Sequence, residues 1–162
     1  MSDSGVEWLD DDQQVAWRSY IRSSRALETV LDTELQSGAG MSLSEYELLS
    51  MLSEVPDRVL RMSTLADLIV QSRSRVTHTA KRLEDRGWVR RERSAEDGRG
   101  VEILLTDEGR AAIAELAPRH VGSVRRHLVD ALTHDQLVAL GEAMAVIRDQ
   151  LRPNHHEIGI DD

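Results

Sequence analysis

Residues 72–106 constrain the fold of this chain more than any other stretch, because a basic helical segment runs directly into two short alternating segments. The helical segment reads S-R-S-R-V-T-H-T-A-K-R-L-E-D-R-G, and its apolar side chains recur at helical spacing. Ser72 stands where a hydroxyl can cap the first turn, and Gly87 stands where a left-handed residue would end the last turn. The sequence therefore predicts a short amphipathic helix with a cationic outer side.

The two segments after this helix predict a β-hairpin. Residues 88–93 and 101–105 alternate between apolar and polar side chains, and Asp97-Gly98 between them is a strong turn signal. A basic helix followed at once by a hairpin with an arginine near its tip is the layout of a winged helix-turn-helix. In such proteins the helix enters the major groove of DNA, and the hairpin tip contacts the backbone or the minor groove.

The segment before the basic helix supplies the other helix of that motif. Residues 62–70 predict a helix with Ser63 as its N-cap and a buried apolar side, and only a two-residue break follows it. Two short helices joined by a tight turn, the second of them basic, form the helix-turn-helix pattern. Residues 59–61 are expected to add a small strand against the wing.

Four pieces of sequence stand in order between residues 65 and 110: L-A-D-x-I-x-x-S-R-S-x-V-T, R-L-E-D-R-G-W-V-R-R, D-G-R-G and L-T-D-E-G-R. Each piece alone is weakly specific, but together they resemble the MarR family of bacterial transcriptional regulators. The resemblance is closest over residues 42–110 and extends more loosely across residues 16–151.

The resemblance implies a homodimer that binds a pseudo-palindromic operator, usually as a repressor. It also implies that many members release DNA when a small molecule or an oxidant acts on them. In the wing it implies that Arg99 enters or lines the minor groove and that Asp97 holds the wing through an ion pair. The alternative is an ordinary D-G turn flanked by solvated charges, and for Asp97 both alternatives stay open.

The outer side of the basic helix and the wing supply the candidate DNA contacts. Arginine can bond guanine bidentately, and Ser or Thr can bond phosphates or bases. The position between a helix-turn signal and a wing favours DNA contact over the alternative of a solvated helix face. The candidates are Ser72, Arg73, Ser74, Arg75, Thr77, His78, Lys81, Arg82, Arg90, Asp97 and Arg99.

The charge distribution supports this interpretation even though the chain carries a formal net charge of −9. Residues 71–99 hold nine basic and five acidic side chains, a formal +4, which leaves −13 for the remainder. A local basic surface on an acidic body still binds phosphate, because cellular salt screens charges beyond about 8 Å.

Amphipathic helices are also predicted on the N-terminal side of the winged segment. Residues 13–36 carry apolar side chains at helical spacing, and residues 37–40 are expected to end that helix. A second helix over residues 44–54 is predicted to start with Ser44 and Glu47 as a capping box.

Two further helices are predicted on the C-terminal side. Thr106 is expected to cap a helix that runs to about Leu132 and that Pro118 bends or breaks. Thr133 and Gln136 form a capping box for a last helix. Its apolar stripe and the end of the preceding helix are the predicted dimer interface: Leu128, Leu132, Leu137, Leu140, Met144, Ile147 and Leu151.

The predicted fold class is mainly α with a small β-hairpin wing: a winged helix-turn-helix with N- and C-terminal helices that form a dimerisation region. We expect one domain over residues 1–162, in which residues 42–106 form the DNA-binding lobe. Residues 13–36 and 107–151 form the dimerisation helices. These helices carry more apolar length than one small lobe can cover, which favours pairing with a second copy.

An effector site is expected between the terminal helices and the winged lobe, because the family resemblance implies one there. The candidate residues are Trp17, Tyr20, Met51 and Arg61, and the alternative for the first three is an ordinary place in the core.

The remaining composition excludes several other classes. The chain has no cysteine, which rules out disulfides, thiolate metal sites and cysteine oxidation. The histidines lack metal-site spacing, and no nucleophile–base set or phosphate loop can be assembled, so neither a cofactor nor an enzymatic activity is expected. Without a signal peptide or an apolar span, a cytoplasmic location is expected. The rival function is a winged-helix protein-interaction module that does not bind DNA.

Overall fold

The structure is a computed structural model and describes residues 6–94 and 100–152. Its elements in chain order are α1 (Asp11–Ala39), α2 (Leu43–Glu54), β1 (Val59–Arg61), α3 (Met62–Leu68), α4 (Arg73–Asp85), β2 (Val89–Arg93), β3 (Val101–Leu105), α5 (Asp107–His127), a 3-10 turn (Val129–Ala131) and α6 (His134–Leu151). This order confirms the predicted fold class.

The three strands form one antiparallel sheet in the order β1-β3-β2. β2 and β3 form the predicted hairpin, with Arg91 opposite Ile103, and β1 pairs with the other side of β3, with Leu60 opposite the same Ile103. The predicted small strand against the wing is therefore confirmed.

The core lies between the sheet and helices α2, α3 and α4. Fully buried side chains from all of these elements meet there: Leu48, Leu49, Leu52, Leu65, Val76, Ala80, Leu83 and Ile103. Burying one such aliphatic side chain of leucine or isoleucine size stabilises the fold by about 1.5–3 kcal/mol. The apolar side predicted for the basic helix thus seats α4 firmly on the lobe.

Helix α4 has the boundaries that its end signals predict. The Ser72 side chain accepts a hydrogen bond from the Arg75 amide, and Gly87 is left-handed with φ +75°. The Gly87 amide donates to the Glu84 carbonyl, and the Trp88 amide donates to the Leu83 carbonyl. This is a Schellman ending, and because it uses the Trp88 amide, β2 begins at Val89 rather than at Trp88.

The predicted start of α2 is wrong. The sequence holds two overlapping Ser-x-x-Glu spacings, and the capping box is formed by Ser42 and Glu45 rather than by Ser44 and Glu47. Spacing alone could not choose between them. The choice is made by burial, because Glu45 is enclosed between α2 and α4 whereas Ser44 and Glu47 are only partly buried.

The ends of α1 and α3 also differ from the predictions. Asp10 and Gln13 form a capping box that starts α1 before residue 13, and left-handed Gly40 ends the helix. Helix α3 has no side-chain cap from Ser63, because strand β1 leads directly into it. It ends at Leu68, and the turn that follows contains Val70 at φ +53°, a conformation that β-branched residues rarely adopt.

Of the bend or break predicted at Pro118, the break does not occur, because α5 continues through this residue, and it ends at His127 rather than near Leu132. Polar contacts with α1 hold the part of α5 that follows the proline. The Glu34 carboxylate of α1 contacts Ser123, Arg126 and His127 of α5, with 2.7 Å to an Arg126 nitrogen and 2.8 Å to His127 Nε2.

Helix α6 begins with the predicted Thr133–Gln136 capping box. In the described single chain, none of its residues is fully buried.

Candidate nucleic-acid interface

The outer side of α4 is defined by what its inner side buries. Val76, Ala80 and Leu83 have no exposed surface, so they define the side of α4 that packs on the lobe. Arg73, Ser74, Thr77, His78 and Lys81 are all exposed. The predicted contact residues nevertheless fall into three groups with different partners.

The first group faces solvent. The side chains of Arg73, His78 and Lys81 have no hydrogen-bond or ion-pair partner among the described residues, and Thr77 Oγ1 donates to the Arg73 carbonyl at 2.8 Å within the helix. Arg73 and Thr77 also line a groove of about 240 Å³ at the base of the wing. The Arg73 and Lys81 cations have no described contact that would compete with a phosphate.

The second group is attached to α2. Arg75 Nη2 donates to Ser44 Oγ at 3.2 Å, and the Arg82 guanidinium lies 3.3 Å from both carboxylate oxygens of Glu45. Ser72 is occupied as the N-cap of α4. The structure therefore brings Arg82 to a buried acid, where the sequence predicted a contact with DNA.

The third group belongs to the wing. Arg90 pairs with Glu92 at 2.6 Å along its own strand. Arg91 pairs with Glu84 of α4 at 2.5 Å, and its backbone amide donates to the same carboxylate. The hydrogen bond from Arg91 lowers the pKa of Glu84, so this link between helix and wing stays charged. Asp97 and Arg99 lie outside the described residues.

Sequence reasoning missed the acidic partners of this surface. Glu45, Glu84 and Glu47 each hold one residue of the helix-turn-helix or the wing, and Gln71 Nε2 donates to Glu47 Oε2 at 3.1 Å. Burial raises the pKa of Glu47. No signal in the sequence points to these pairs. Each of the two arginines meets an acid on a neighbouring element, and spacing within one helix does not reveal such contacts.

The four predicted effector residues do not lie together. Trp17 and Tyr20 are exposed on α1 with ring centroids 6.3 Å apart, and Arg61 lies at the groove beside the wing. Met51 lines a separate cavity of about 540 Å³ between α1, α2 and the turn after α3.

That cavity also contains His120 of α5, which was not among the predicted effector residues. Its ring lies 4.1 Å from the Tyr46 ring, and burial lowers its pKa. The structure therefore places Met51, Tyr46 and His120 around one cavity.

The predicted dimer-interface residues lie along one stretch of surface at the C-terminal end of the chain. Leu128, Leu132, Leu137 and Met144 are partly buried, whereas Leu140, Ile147 and Leu151 are exposed. Across residues 6–94 and 100–152, no helix is long and apolar enough to span a membrane, and no acid–histidine cluster could hold a metal ion.

The three-stranded sheet, the two short helices and the outward basic helix define a winged helix-turn-helix protein. A MarR family profile matches residues 39–100. A transcriptional regulator of the helix-turn-helix type, PecS from Dickeya dadantii, is 30% identical over 118 residues, which cover 72% of this chain and 70% of PecS. The chain therefore belongs to the MarR family of transcriptional regulators.

Solved structures agree with this assignment. Sco3205, a MarR family transcriptional regulator from Streptomyces coelicolor whose crystal structure contains DNA, is 44% identical. The match covers 92% of this chain and 93% of Sco3205, with a TM-score of 0.87. AbsC, a MarR family regulator from the same organism, is 39% identical over 92% of this chain and 100% of its own, with a TM-score of 0.84.

Proposed function

We propose that this protein is a homodimeric transcriptional repressor that binds a pseudo-palindromic operator in double-stranded DNA. The observation that carries the proposal is the outer side of α4, where Arg73, His78 and Lys81 are exposed beside the wing and have no described partner. An α-helix fits the major groove, and cations at its edge neutralise phosphates. The similarity to Sco3205, which was crystallised with DNA, supports the same interpretation.

Dimerisation would follow from the terminal helices. We propose that residues 13–36 and 107–151 pair with a second copy, while residues 42–106 act as the DNA-binding lobe. The apolar residues that α6 exposes at Leu140, Ile147 and Leu151 support this division. A two-fold dimer would place its two α4 helices in successive major grooves, about 34–36 Å apart.

Release by a small-molecule effector completes the proposal. Of the four effector candidates, Met51 has the strongest structural support, because it lines the cavity that contains Tyr46 and His120 between the lobe and α1. A ligand there would touch the two units whose relative placement sets the spacing of the α4 helices.

The test is a fluorescence-anisotropy titration with a duplex that the wild-type protein selects from a random pool. A shuffled duplex of the same composition is the comparison. We expect selective binding whose affinity falls steeply with salt, and a Lys81→Gln variant whose salt slope is smaller by about 0.9 units. Arg18→Gln on α1, where Arg18 contacts only Gln14 among the described residues, is the matched control and should keep the wild-type slope. Weak binding that is equal for both duplexes would refute the proposal.

A further inference from the structure

Glu45 is a fully buried carboxylate in the first turn of α2. Its Oε2 atom accepts from the Ser42 amide at 2.7 Å and from the Ser42 hydroxyl at 2.9 Å. The Oε1 atom has no hydrogen bond, and its close polar neighbour is Arg82 Nε at 3.3 Å. A buried charge costs much free energy unless it is paired, so pairing with the Arg82 guanidinium offsets the cost of burying this carboxylate.

A comparison within the chain shows that the helix cap itself does not require the charge. The capping boxes of α1 and α6 use Gln13 and Gln136 at the third helical position, where α2 uses Glu45. An uncharged amide therefore completes a capping box in this protein twice. The box with a carboxylate at the third helical position is also the one that faces an arginine of α4, so this charge serves the contact between helices.

Two neighbouring contacts follow the same line between α2 and α4. Arg75 Nη2 donates to Ser44 Oγ at 3.2 Å, and Gln71 Nε2 donates to Glu47 Oε2 at 3.1 Å. We call these contacts, together with the Glu45–Arg82 pair, the α2–α4 seam. The seam runs from the turn before α4 to its last turn. It fixes the rotation and tilt of α4, which apolar packing alone specifies less sharply because it has no direction.

We propose that Arg82 is a positioning residue rather than a DNA contact, and that its pair with Glu45 sets the orientation from which the outer side of α4 meets the DNA bases. The inference rests on the proposed DNA binding and reassigns one of the predicted contacts. A buried acid that no DNA can touch would thereby determine operator selectivity.

The test uses the selected and shuffled duplexes described above with Glu45→Gln, Arg82→Gln and the double variant. Glu45→Gln keeps the cap and removes the charge. We expect each single variant to lose operator affinity by about tenfold with an unchanged salt slope, because no phosphate contact is removed. Affinity for the shuffled duplex should stay at the wild-type value. The double variant should bind no more weakly than the weaker single variant, because both substitutions break the same pair.

A phosphate contact by Arg82 predicts a different pattern. Glu45→Gln would then free the guanidinium and leave operator affinity unchanged or stronger. Arg82→Gln and the double variant would both lower the salt slope by about 0.9 units. Either result would overturn the positioning role. If Arg82→Gln alone does not fold, the double variant still decides the question, because it leaves no uncompensated buried charge.

Amide hydrogen exchange without DNA separates this inference from the proposed function. Glu45→Gln should speed exchange along α4 by about tenfold, whereas Gln136→Glu, the reverse exchange in the capping box of α6, should leave α4 unchanged. Faster exchange in α4 of Glu45→Gln, together with unselective DNA binding by the wild type, would refute the proposed function but support the role of the seam in holding α4. Unchanged exchange in α4 would refute the seam, even for a protein that binds its operator.

Discussion

Helices α2 and α6 contain similar fractions of apolar residues, but they bury very different fractions of them within one chain. Helix α2 has 12 residues and buries five of them, whereas α6 has 18 residues and fully buries none in the described chain. Leu49 of α2 is 0% exposed, and Leu151 of α6 is 74% exposed. The core of the winged lobe is therefore completed within one chain, with Leu35 of α1 and Ile113 of α5, while α6 has an apolar surface that a single chain leaves uncovered.

This difference separates two kinds of stability. The lobe should fold from contacts within the chain, so the position of α4 is fixed before any partner binds. Leu35 of α1 and Ile113 of α5 join the core of the lobe, and the Glu34–Ser123 contact ties α1 to α5. The apolar side chains that α6 exposes can gain stability only from association.

The largest effect is expected from a cavity in the lobe. Leu83→Ala removes a fully buried side chain beneath α4 and should lower the free energy of unfolding by about 2–5 kcal/mol. Urea denaturation measures this change at a protein concentration below the dissociation constant of the dimer. Leu151→Ala on α6 is the matched control and should change stability there by less than about 0.5 kcal/mol. Equal losses of unfolding free energy for both variants would mean that the lobe and α6 contribute equally to the stability of the single chain.

The next effect is a loss of the proposed dimer, which we expect when charges are placed on α6. Leu140→Glu combined with Ile147→Glu would bury two acids in the proposed dimer interface, so sedimentation should give the mass of one chain. Operator affinity should then fall by about 100-fold, because one lobe contacts only one half-site. Glu142→Lys, on the other side of α6, should leave the protein dimeric. A double variant that stays dimeric would place the interface elsewhere.

The smallest effect concerns the polar contact between α1 and α5. Hydrogen bonds from Ser123 and His127, with the charge of Arg126, lower the pKa of Glu34 from 4.5 to about 2. A carboxylate with a depressed pKa stabilises the fold above pH 4.5 and loses that contribution as the pH falls toward 2.

Melting temperatures measured between pH 5 and pH 3 test this link. They should fall less steeply for Glu34→Gln than for the wild type, and Ser123→Ala should lie between the two. If melting temperature falls equally with pH in all three proteins, Glu34 does not contribute to their sensitivity to acid.

The sequence predicts those parts of the fold whose signals are local. Ser72 and Gly87 mark the ends of α4 because both act through the backbone of one turn, and the alternation of 101–105 fixes β3 for the same reason. Pro118 left a bend or a break open, and the continuous α5 shows that one proline did not end the helix.

The candidate site was less predictable, because its residues are sorted by contacts between elements. Arg82 and Lys81 are adjacent in the sequence and have the same charge, yet one faces a buried acid of α2 and the other faces solvent. Helical periodicity assigned both to the outer side. Similarly, nothing local distinguishes Met51, which lines a cavity, from Tyr20, which is exposed on α1.

In the proposed dimer, a lobe whose core is completed within one chain presents α4 to DNA, while the terminal helices set the distance between two such lobes. Hydroxyl-radical and methylation footprinting of the wild-type protein on its selected duplex tests both parts at once. We expect two protected major-groove segments related by a two-fold axis, with centres about 34–36 Å apart on one side of the duplex. A single protected segment, or protection without a two-fold relation, would contradict it.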